Sequence, residues 1–243
     1  IRARLVGSEM CIRDRKYNLS KLKDNNIAIA ANGTMYKTDK QGFLPEMLEK
    51  EYNDRVKYKK LMIQAQQEYQ QTKNKKLLND IAKYHIIQFS KKISLNSAYG
   101  AMANQYFAFF SIDMAEAITL SGQLAIRWAE KIVNEYLNNV LKTENEDYVI
   151  AIDTDSIYIT MDKLVQQVLP DAPKDRVIDF LSKAEVQIED VLEKGFIDLA
   201  DYTNAFEQKM EMGREVIADR GIWTAKKRYI LNVHDNEGVR LTT

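Results

Sequence analysis

Two long stretches of the chain carry apolar and polar positions at helical spacing. The first begins at Pro45, a residue favoured in the first turn of a helix, and runs to about Gln71 without glycine or a second proline. A polar break at residues 73–75 separates it from a second apolar pattern that leads to Gly100. Two long helices joined by a short turn predict an antiparallel helical hairpin.

A third helix is predicted from a wide apolar stripe, and residues 174–205 are predicted to be helical as well. One row of the stripe has an apolar residue at every fourth position, and a second row widens it. The first row is Leu120, Leu124, Trp128, Ile132 and Tyr136, and the second is Ala125, Ala129, Val133 and Leu137. Such a stripe predicts a helix that packs on a core.

The apolar period then changes to that of β-strands. Residues 148–152 and 157–159 flank the sequence Asp-Thr-Asp-Ser, which predicts a hairpin of two buried strands. Two or three more strands are predicted between Phe206 and Val233, before a turn at residues 235–238. The pattern as a whole predicts an α+β fold, with an antiparallel helical hairpin and an antiparallel sheet with packed helices.

Composition narrows the classes of function. The 243 residues are 45% hydrophobic, enough for one sizeable core or two small ones. The 35 basic residues balance 35 acidic ones, so any nucleic-acid binding depends on local patches and not on a global positive field. No apolar run is long enough to cross a bilayer. The single cysteine, Cys11, excludes an internal disulfide and fits a reducing cytosol.

Residues 1–15, IRARLVGSEMCIRDR, are expected to be foreign to the rest of the chain. They lack the apolar stretch of a signal peptide, and LVGSEMCIRDR resembles a translated sequencing adaptor. We therefore expect Cys11 to be non-native and the natural protein to extend further upstream.

Asp153 and Asp155 are candidates for metal chemistry, because only Thr154 separates them at the tip of the predicted hairpin. Carboxylate oxygens on a rigid hairpin can hold divalent cations against a triphosphate, as phosphoryl transfer requires. The alternative is an ordinary turn, since Asp and Ser favour turns.

Lys92, Asn96 and Tyr99 share one face of the second predicted helix. Lysine suits a phosphate, the amide can donate to phosphate or sugar, and the tyrosine ring offers a flat surface with a polar tip. The alternative is a solvated polar face. Gly100 would either let a nucleic-acid backbone approach closely or simply end the helix.

Arg55 and Lys59 lie four residues apart on the first predicted helix, and they could face Lys92 across the hairpin. Three converging cations would match the charge of a nucleoside triphosphate. The alternative is that Glu51 pairs with Arg55 at helical spacing.

A basic run near the end of the chain is predicted to lead into a strand, where its charge could follow a DNA backbone. The run consists of Lys226, Lys227, Arg228 and Tyr229. The two histidines of the sequence are isolated, so both are interpreted as structural and no zinc site is predicted.

Three of these segments resemble motifs of the family B DNA polymerases, most closely the replicative enzymes of large tailed bacteriophages. KISLNSAYG at residues 92–100 matches the fingers motif K-x-x-x-N-S-x-Y-G, DTDS at 153–156 matches the second catalytic carboxylate motif, and KKRY at 226–229 matches the primer-side motif. GTMYKTDKQGFLPEMLEKEYNDR at 33–55 is similar to the segment that enters the fingers. The motifs occur in the family's order, so the resemblance extends from about residue 27 to the end.

The resemblance implies a domain organisation, an activity and partners. Residues 16–44 would enter the palm, 45–104 would form the fingers hairpin and 105–243 part of the palm. The activity would be template-directed addition of deoxynucleotides to a primer 3′ end with two Mg²⁺ ions, in phage genome replication. The partners would be primer–template DNA, deoxynucleoside triphosphates and a processivity clamp reached through regions outside this sequence. The compartment would be the cytoplasm of an infected bacterium, with no membrane partner.

The resemblance also implies a role for each matching residue. The incoming triphosphate would be held by Arg55, Lys59 and Lys92, with Asn96 beside them. Tyr99 would lie under the new base pair on its minor-groove side, where acceptor atoms are similar for all pairs.

The remaining roles concern the metals and the DNA. Asp155 would be a ligand of the catalytic metals, and Asp153 would support the metal site from its edge. Contacts with DNA would come from Gly100, Lys226, Lys227, Arg228 and Tyr229, the last three gripping the primer strand.

The sequence departs from the family pattern at several points. Ile152 stands where the phage pattern usually has glycine, and the helical hairpin looks shorter than in the phage enzymes. The first catalytic motif, an aspartate followed by S-L-Y-P, is expected before Gly33 and is absent from this sequence, as are exonuclease and thumb segments. We therefore expect a fragment that is inactive alone. The alternatives are a non-catalytic nucleic-acid-binding module and a helical scaffold with solvated charged faces.

Overall fold

The computed structural model describes residues 19–225 and 227–241. The chain divides into two compact units, one of Ile1–Met35 with Thr119–Thr243 and the other of Tyr36–Ile118. Helices and antiparallel strands together confirm the predicted α+β class. The expectation for residues 1–15 lies outside the described residues, as does Lys226. Among the helices that are described, none combines the length and the apolar character needed to cross a membrane.

Three short elements open the described chain, and the sequence pattern did not predict them. They are helix α1 (Leu19–Asp24) and the paired strands β1 (Ile27–Ile29) and β2 (Met35–Lys37). Gly33 has a φ of +87° in the turn between the two strands, and its N–H donates to the Ala30 carbonyl at 2.8 Å. Glycine adopts this backbone conformation without a steric penalty.

The predicted helical hairpin is present and forms most of the second unit. Helix α2 (Phe43–Thr72) begins two residues before Pro45, which is tolerated because N–H groups of the first turn have no helical acceptor. It ends where Lys73 adopts a left-handed conformation. Helix α3 (Lys76–Met102) returns antiparallel to α2. Since α3 continues two residues past Gly100, that glycine does not end the helix.

The core of the first unit forms between two 30-residue helices, α4 (Ile112–Leu141) and α6 (Lys174–Thr203). The sequence predicted both helices and the packing of α4 on a core, but not that α6 is its partner. Of the two rows on α4, the second is the buried one, and the first lies partly exposed at its edge. The two helices approach closely at Gly195, where an added Cβ atom would lie 2.1 Å from Ile132 Cδ1. Trp128 Nε1 donates to the Gly195 carbonyl at 2.9 Å.

The predicted Asp-Thr-Asp-Ser hairpin consists of β3 (Val149–Asp153) and β4 (Ser156–Ile159). The prediction that both strands are buried was wrong for one face of β3. Val149 is buried in the core, but Ile150 and Ile152 are exposed. The pairing register shifts between Val149 and Ala151, which leaves Ile150 unpaired. A short helix that was not predicted, α5 (Asp162–Val168), follows the hairpin.

The last strands form one antiparallel sheet of β5 (Val216–Ala225), β6 (Arg228–Asn236) and β7 (Val239–Arg240). One detail differs from the prediction. Strand β6 extends to Asn236, so Asp235 lies in the strand and not in the turn. Lys227, with a φ of +62°, lies in the turn between β5 and β6, and Arg228 and Tyr229 begin β6, so the described part of the basic run leads into a strand as predicted.

A network of charges connects this sheet to helix α6. Arg214 forms ion pairs with Glu185 of α6 and with the buried carboxylate of Asp235. Arg240 lies 3.6 Å from Asp235 and 2.6 Å from Asp179 of α6. Because Asp235 is almost inaccessible to water, its charge requires these arginine partners. The network therefore links the sheet to helix α6.

Candidate active site and nucleotide-binding helices

The tip of the β3–β4 hairpin holds two carboxylates. Asp153 pairs with Ser156, so Thr154 and Asp155 form the turn. The Asp155 N–H donates to the Asp153 carbonyl at 2.7 Å, and the Thr154 hydroxyl donates to Asp153 Oδ1 at 3.0 Å. Asp155 is exposed, while Asp153 is half-buried. The Asp155 carboxylate is therefore open to an incoming ligand, and the Asp153 carboxylate is held against the hairpin.

The two carboxylates of this tip are suitable ligands for a hard divalent cation, but they are too few to complete its coordination shell. Carboxylate oxygens are the ligands that Mg²⁺ prefers. Within residues 19–225 and 227–241, no group of three or more His, Cys, Asp or Glu side chains lies close enough to hold a metal ion. Asp153 and Asp155 would therefore supply only part of a coordination shell, and phosphate oxygens, water or further carboxylates would have to complete it.

Two asparagines of helix α4 position the start of β3. Asn134 Oδ1 accepts the N–H groups of Tyr148 at 2.8 Å and of Val149 at 3.2 Å. Asn138 Oδ1 accepts the N–H of Glu146 at 3.0 Å. The sequence analysis did not identify these residues. The available signal was a pair of asparagines four residues apart inside a helix, where their amides compete with the backbone for hydrogen bonds.

Three aromatic rings connect the carboxylate hairpin to the β5–β6 hairpin. The Tyr158 ring of β4 lies 5.3 Å from the Trp223 ring and 5.4 Å from the Tyr229 ring, both at edge-to-face angles. Trp223 and Tyr229 face each other across β5 and β6, with ring centroids 6.3 Å apart. Burial, and next its interaction with Tyr229, raises the pKa of the Tyr158 hydroxyl far above its usual range. Tyr158 was also missed from the sequence, since no period or motif marks it.

The described residues of the basic run have different environments. Lys226 lies outside the described residues. Lys227 in the turn and Arg228 at the start of β6 are exposed at the hairpin tip. Tyr229 packs against Tyr158, yet it remains 42% exposed. Of the described residues of the run, Tyr229 is thus the one whose ring contacts the carboxylate hairpin.

The predicted nucleotide-binding face of α3 is open. Lys92, Asn96 and Tyr99 are all exposed on this helix. A Cβ atom added at Gly100 would meet no heavy atom within 4 Å, so the helix surface there is accessible. Among the described residues, no carboxylate forms an ion pair with Lys92, so its charge is available to an anion.

Arg55 and Lys59 are half-buried on α2. The alternative that Glu51 pairs with Arg55 was wrong. The Glu51 carboxylate instead accepts a hydrogen bond from Lys91 of α3 at 2.9 Å. The Arg55 Nε atom is buried and has no hydrogen-bond partner. Lys91, which was not singled out in the sequence, thus takes the acidic partner that helical spacing would have given to Arg55.

The two histidines have separate packing environments. His85 is exposed and stacks on Phe89, with ring centroids 5.9 Å apart. His234 is buried, and its Nε2 lies 3.1 Å from Asp219 Oδ1. Asp219 also pairs with Lys174 at 3.1 Å, and this lysine is the main cause of the lowered pKa of the Asp219 carboxyl.

Comparisons with known proteins agree with the motifs. The family model described as DNA polymerase family B matches residues 8–240. The DNA-directed DNA polymerase of Escherichia phage RB69 is 34% identical over 261 aligned residues, which cover 86% of this chain and 29% of that protein. The DNA-directed DNA polymerase of Enterobacteria phage T4 is 38% identical over 164 residues, covering 63% of this chain and 18% of that protein. The chain thus spans less than a third of the length of these relatives. From the extent of the family match, the chain belongs to DNA polymerase family B.

Proposed function

We propose that the chain carries the triphosphate-binding helices and the carboxylate hairpin of a template-directed DNA polymerase. The observation that carries this proposal is the aromatic contact of Tyr158 with Tyr229. This contact holds the hairpin that carries Asp153 and Asp155 in a defined position relative to the basic β5–β6 hairpin. Catalysis requires fixed positions of this kind, because small displacements of the reacting groups lower the rate by large factors. The names of the two phage relatives support the same activity.

The helical hairpin would bind the incoming nucleotide. Arg55, Lys59 and Lys92 would contact the triphosphate, since charge-assisted hydrogen bonds to phosphate are the strongest available to a protein. Asn96 would donate to phosphate or sugar. Tyr99 would contact the minor-groove side of the new base pair, which checks its shape without reading its sequence. The exposure of the α3 face and the unpartnered Arg55 Nε atom support this assignment.

The reaction would be attack of the primer 3′-hydroxyl oxygen on the α-phosphorus of a deoxynucleoside triphosphate, with cleavage of the bond to pyrophosphate. Two Mg²⁺ ions, when bound, would lower the pKa of the hydroxyl and neutralise the leaving pyrophosphate. Asp155 would bind metal through its exposed carboxylate, and Asp153 would support the site from its edge. Lys226, Lys227, Arg228 and Tyr229 would hold the primer strand, with Gly100 close to the DNA.

The biological setting would be phage genome replication in the cytoplasm of an infected bacterium. A processivity clamp would bind through regions outside this sequence. The chain as given would not extend primers alone. The two-metal mechanism needs carboxylates on both sides of the metal pair, and among the described residues no group of three or more His, Cys, Asp or Glu side chains could hold a metal ion.

The test measures binding of dATP to the purified 243-residue chain by equilibrium dialysis, with Mg²⁺ and with EDTA. We expect Mg²⁺ to strengthen retention of dATP, and Asp155→Asn to remove that increment. Asp198→Asn, an exposed aspartate on α6, is the matched control and should behave like the unmodified chain. Retention of dATP that is indifferent to Mg²⁺ would favour a non-catalytic nucleic-acid-binding module. Primer extension that Asp155→Ala abolishes would contradict the inactivity of the chain.

A further inference from the structure

Lys91 connects the two helices of the hairpin through two carboxylates at once. Its Nζ lies 2.9 Å from Glu51 Oε1 and 3.1 Å from Asp54 Oδ2. The Lys91 and Glu51 side chains are about a quarter to a third exposed, whereas Asp54 is more open. Hydrogen bonds to Glu51 and then to Asp54 raise the pKa of the Lys91 ammonium group. The lysine therefore remains charged while it holds both acids.

Of the two acids held by Lys91, Glu51 is the one placed to pair with Arg55. It lies one helical turn before Arg55, the spacing at which a carboxylate and a guanidinium pair on a helix surface. Asp54 immediately precedes Arg55, so the two side chains do not face each other on the helix, but an unpaired carboxylate there would add negative charge next to Arg55. Despite these neighbours, the Arg55 Nε atom has no hydrogen-bond partner.

The other acids of this part of α2 are also engaged. Glu46 pairs with Lys50 at 3.0 Å, and Glu49 accepts a hydrogen bond from Gln41 Nε2 at 2.8 Å. Every carboxylate of α2 from residue 46 to residue 54 thus has a partner other than Arg55. Among these partners, Lys91 alone comes from the opposite helix, next to Lys92.

We propose that Lys91 is a positioning residue for nucleotide binding, which withdraws Glu51 from Arg55, neutralises Asp54 beside it and so keeps the site cationic. Without Lys91, Glu51 would turn to Arg55, and both freed carboxylates would repel a triphosphate. Lys91 itself does not contact the nucleotide. This inference rests on the proposed binding of a deoxynucleoside triphosphate by Arg55, Lys59 and Lys92.

The size of the effect follows from the charges that change. Each freed carboxylate is partly exposed, so its interaction with Arg55 or with the triphosphate has the magnitude of a surface pair. Two such interactions correspond to about a two- to thirtyfold loss of affinity for dATP. The loss should diminish at high salt, because solvent ions screen exposed charges.

The experiment measures the Kd of dATP with Mg²⁺ for the 243-residue chain at low and high salt. We expect Lys91→Gln to weaken binding about two- to thirtyfold at low salt. Lys91→Arg should retain most of the affinity, because it can still bridge the two acids. The triple variant Lys91→Gln, Glu51→Gln, Asp54→Asn should recover the affinity of the unmodified chain, because it has no carboxylates to free. Lys83→Gln, an exposed lysine on the same helix, is the control.

The triple variant separates an electrostatic role from a structural one. If Lys91 only joined the helices, the triple variant would also lack the bridge and would bind as weakly as Lys91→Gln. That result would overturn the inference, as would unchanged affinity of Lys91→Gln while the unmodified chain binds dATP. Failure of the unmodified chain to bind dATP would overturn the proposed function, and this inference with it. Thermal unfolding of each variant, followed by circular dichroism, checks that the helices are intact.

Discussion

The ring of Tyr158 contacts the ring of Tyr229 at 5.4 Å between centroids, although 71 positions separate them in the chain. Tyr158 lies on the strand that follows the two aspartates, and Tyr229 ends the basic run. Trp223 completes the cluster from the neighbouring strand. The contact joins two hairpins that are separate in sequence, one carrying the two aspartates and the other carrying Lys227 and Arg228.

Replacing Tyr158 tests the strength of this connection. Tyr158→Leu removes two edge-to-face contacts and should lower the free energy of unfolding by about 1–3 kcal/mol. Tyr158→Phe retains the ring and both of its contacts, so it should cost much less. The measurement is urea unfolding followed by tryptophan fluorescence, since Trp223 is in the cluster. Equal stability of the Leu and Phe variants would show that the rings contribute nothing.

Asn134→Ala should destabilise the start of β3. The substitution deprives the Tyr148 N–H of its acceptor and the Val149 N–H of one of its acceptors, at a cost of about 1–3 kcal/mol. Asn139→Ala, at an exposed position of the same helix, is the control for loss of an asparagine. Urea unfolding measures both. If Asn134→Ala lowered the free energy of unfolding no more than Asn139→Ala, Asn134 would not position the start of β3.

The Asp219 carboxylate predicts a pH dependence of stability. Its pKa is lowered from 3.8, chiefly by Lys174 and also by His234 and Asn232. A carboxyl group with a lowered pKa in the folded state stabilises the fold at pH values above its unfolded pKa, and this contribution is lost as the pH falls below it. Asp219→Asn should therefore be less stable than the unmodified chain at pH 6. The difference should shrink below about pH 4. A stability difference between the two proteins that grows as the pH falls would contradict this prediction.

Lys92→Ala should weaken binding of dATP more than the same change elsewhere on α3. Loss of a charge-assisted hydrogen bond to phosphate costs about 1.5–3 kcal/mol, or roughly ten- to 150-fold in Kd. Lys83→Ala is the matched control, since Lys83 is also exposed on this helix. Equilibrium dialysis with Mg²⁺ measures the Kd. Equal affinities of the two variants would remove Lys92 from the site.

The candidate residues were found from the sequence where a local motif marks them. Asp153 and Asp155 were predicted at a hairpin tip, and they lie there because β-rich runs flank a turn sequence. Lys92, Asn96 and Tyr99 were predicted on one helix face, which follows from helical spacing alone. Lys91, Asn134 and Tyr158 were missed, because their partners lie on other elements and no spacing rule identifies such partners.

The sequence by itself determined the long helices, the hairpin with the two aspartates, the α+β class and the family motifs. These features depend on local periods and short patterns, which a single segment carries. Only the tertiary structure decided which row of α4 is buried, because burial depends on where α6 packs. It also decided that Glu51 pairs with Lys91 and not with Arg55, since a partner across the hairpin competes with one on the same helix. Side-chain pairing between elements is a property of packing, and the spacing of residues along one chain segment does not specify it.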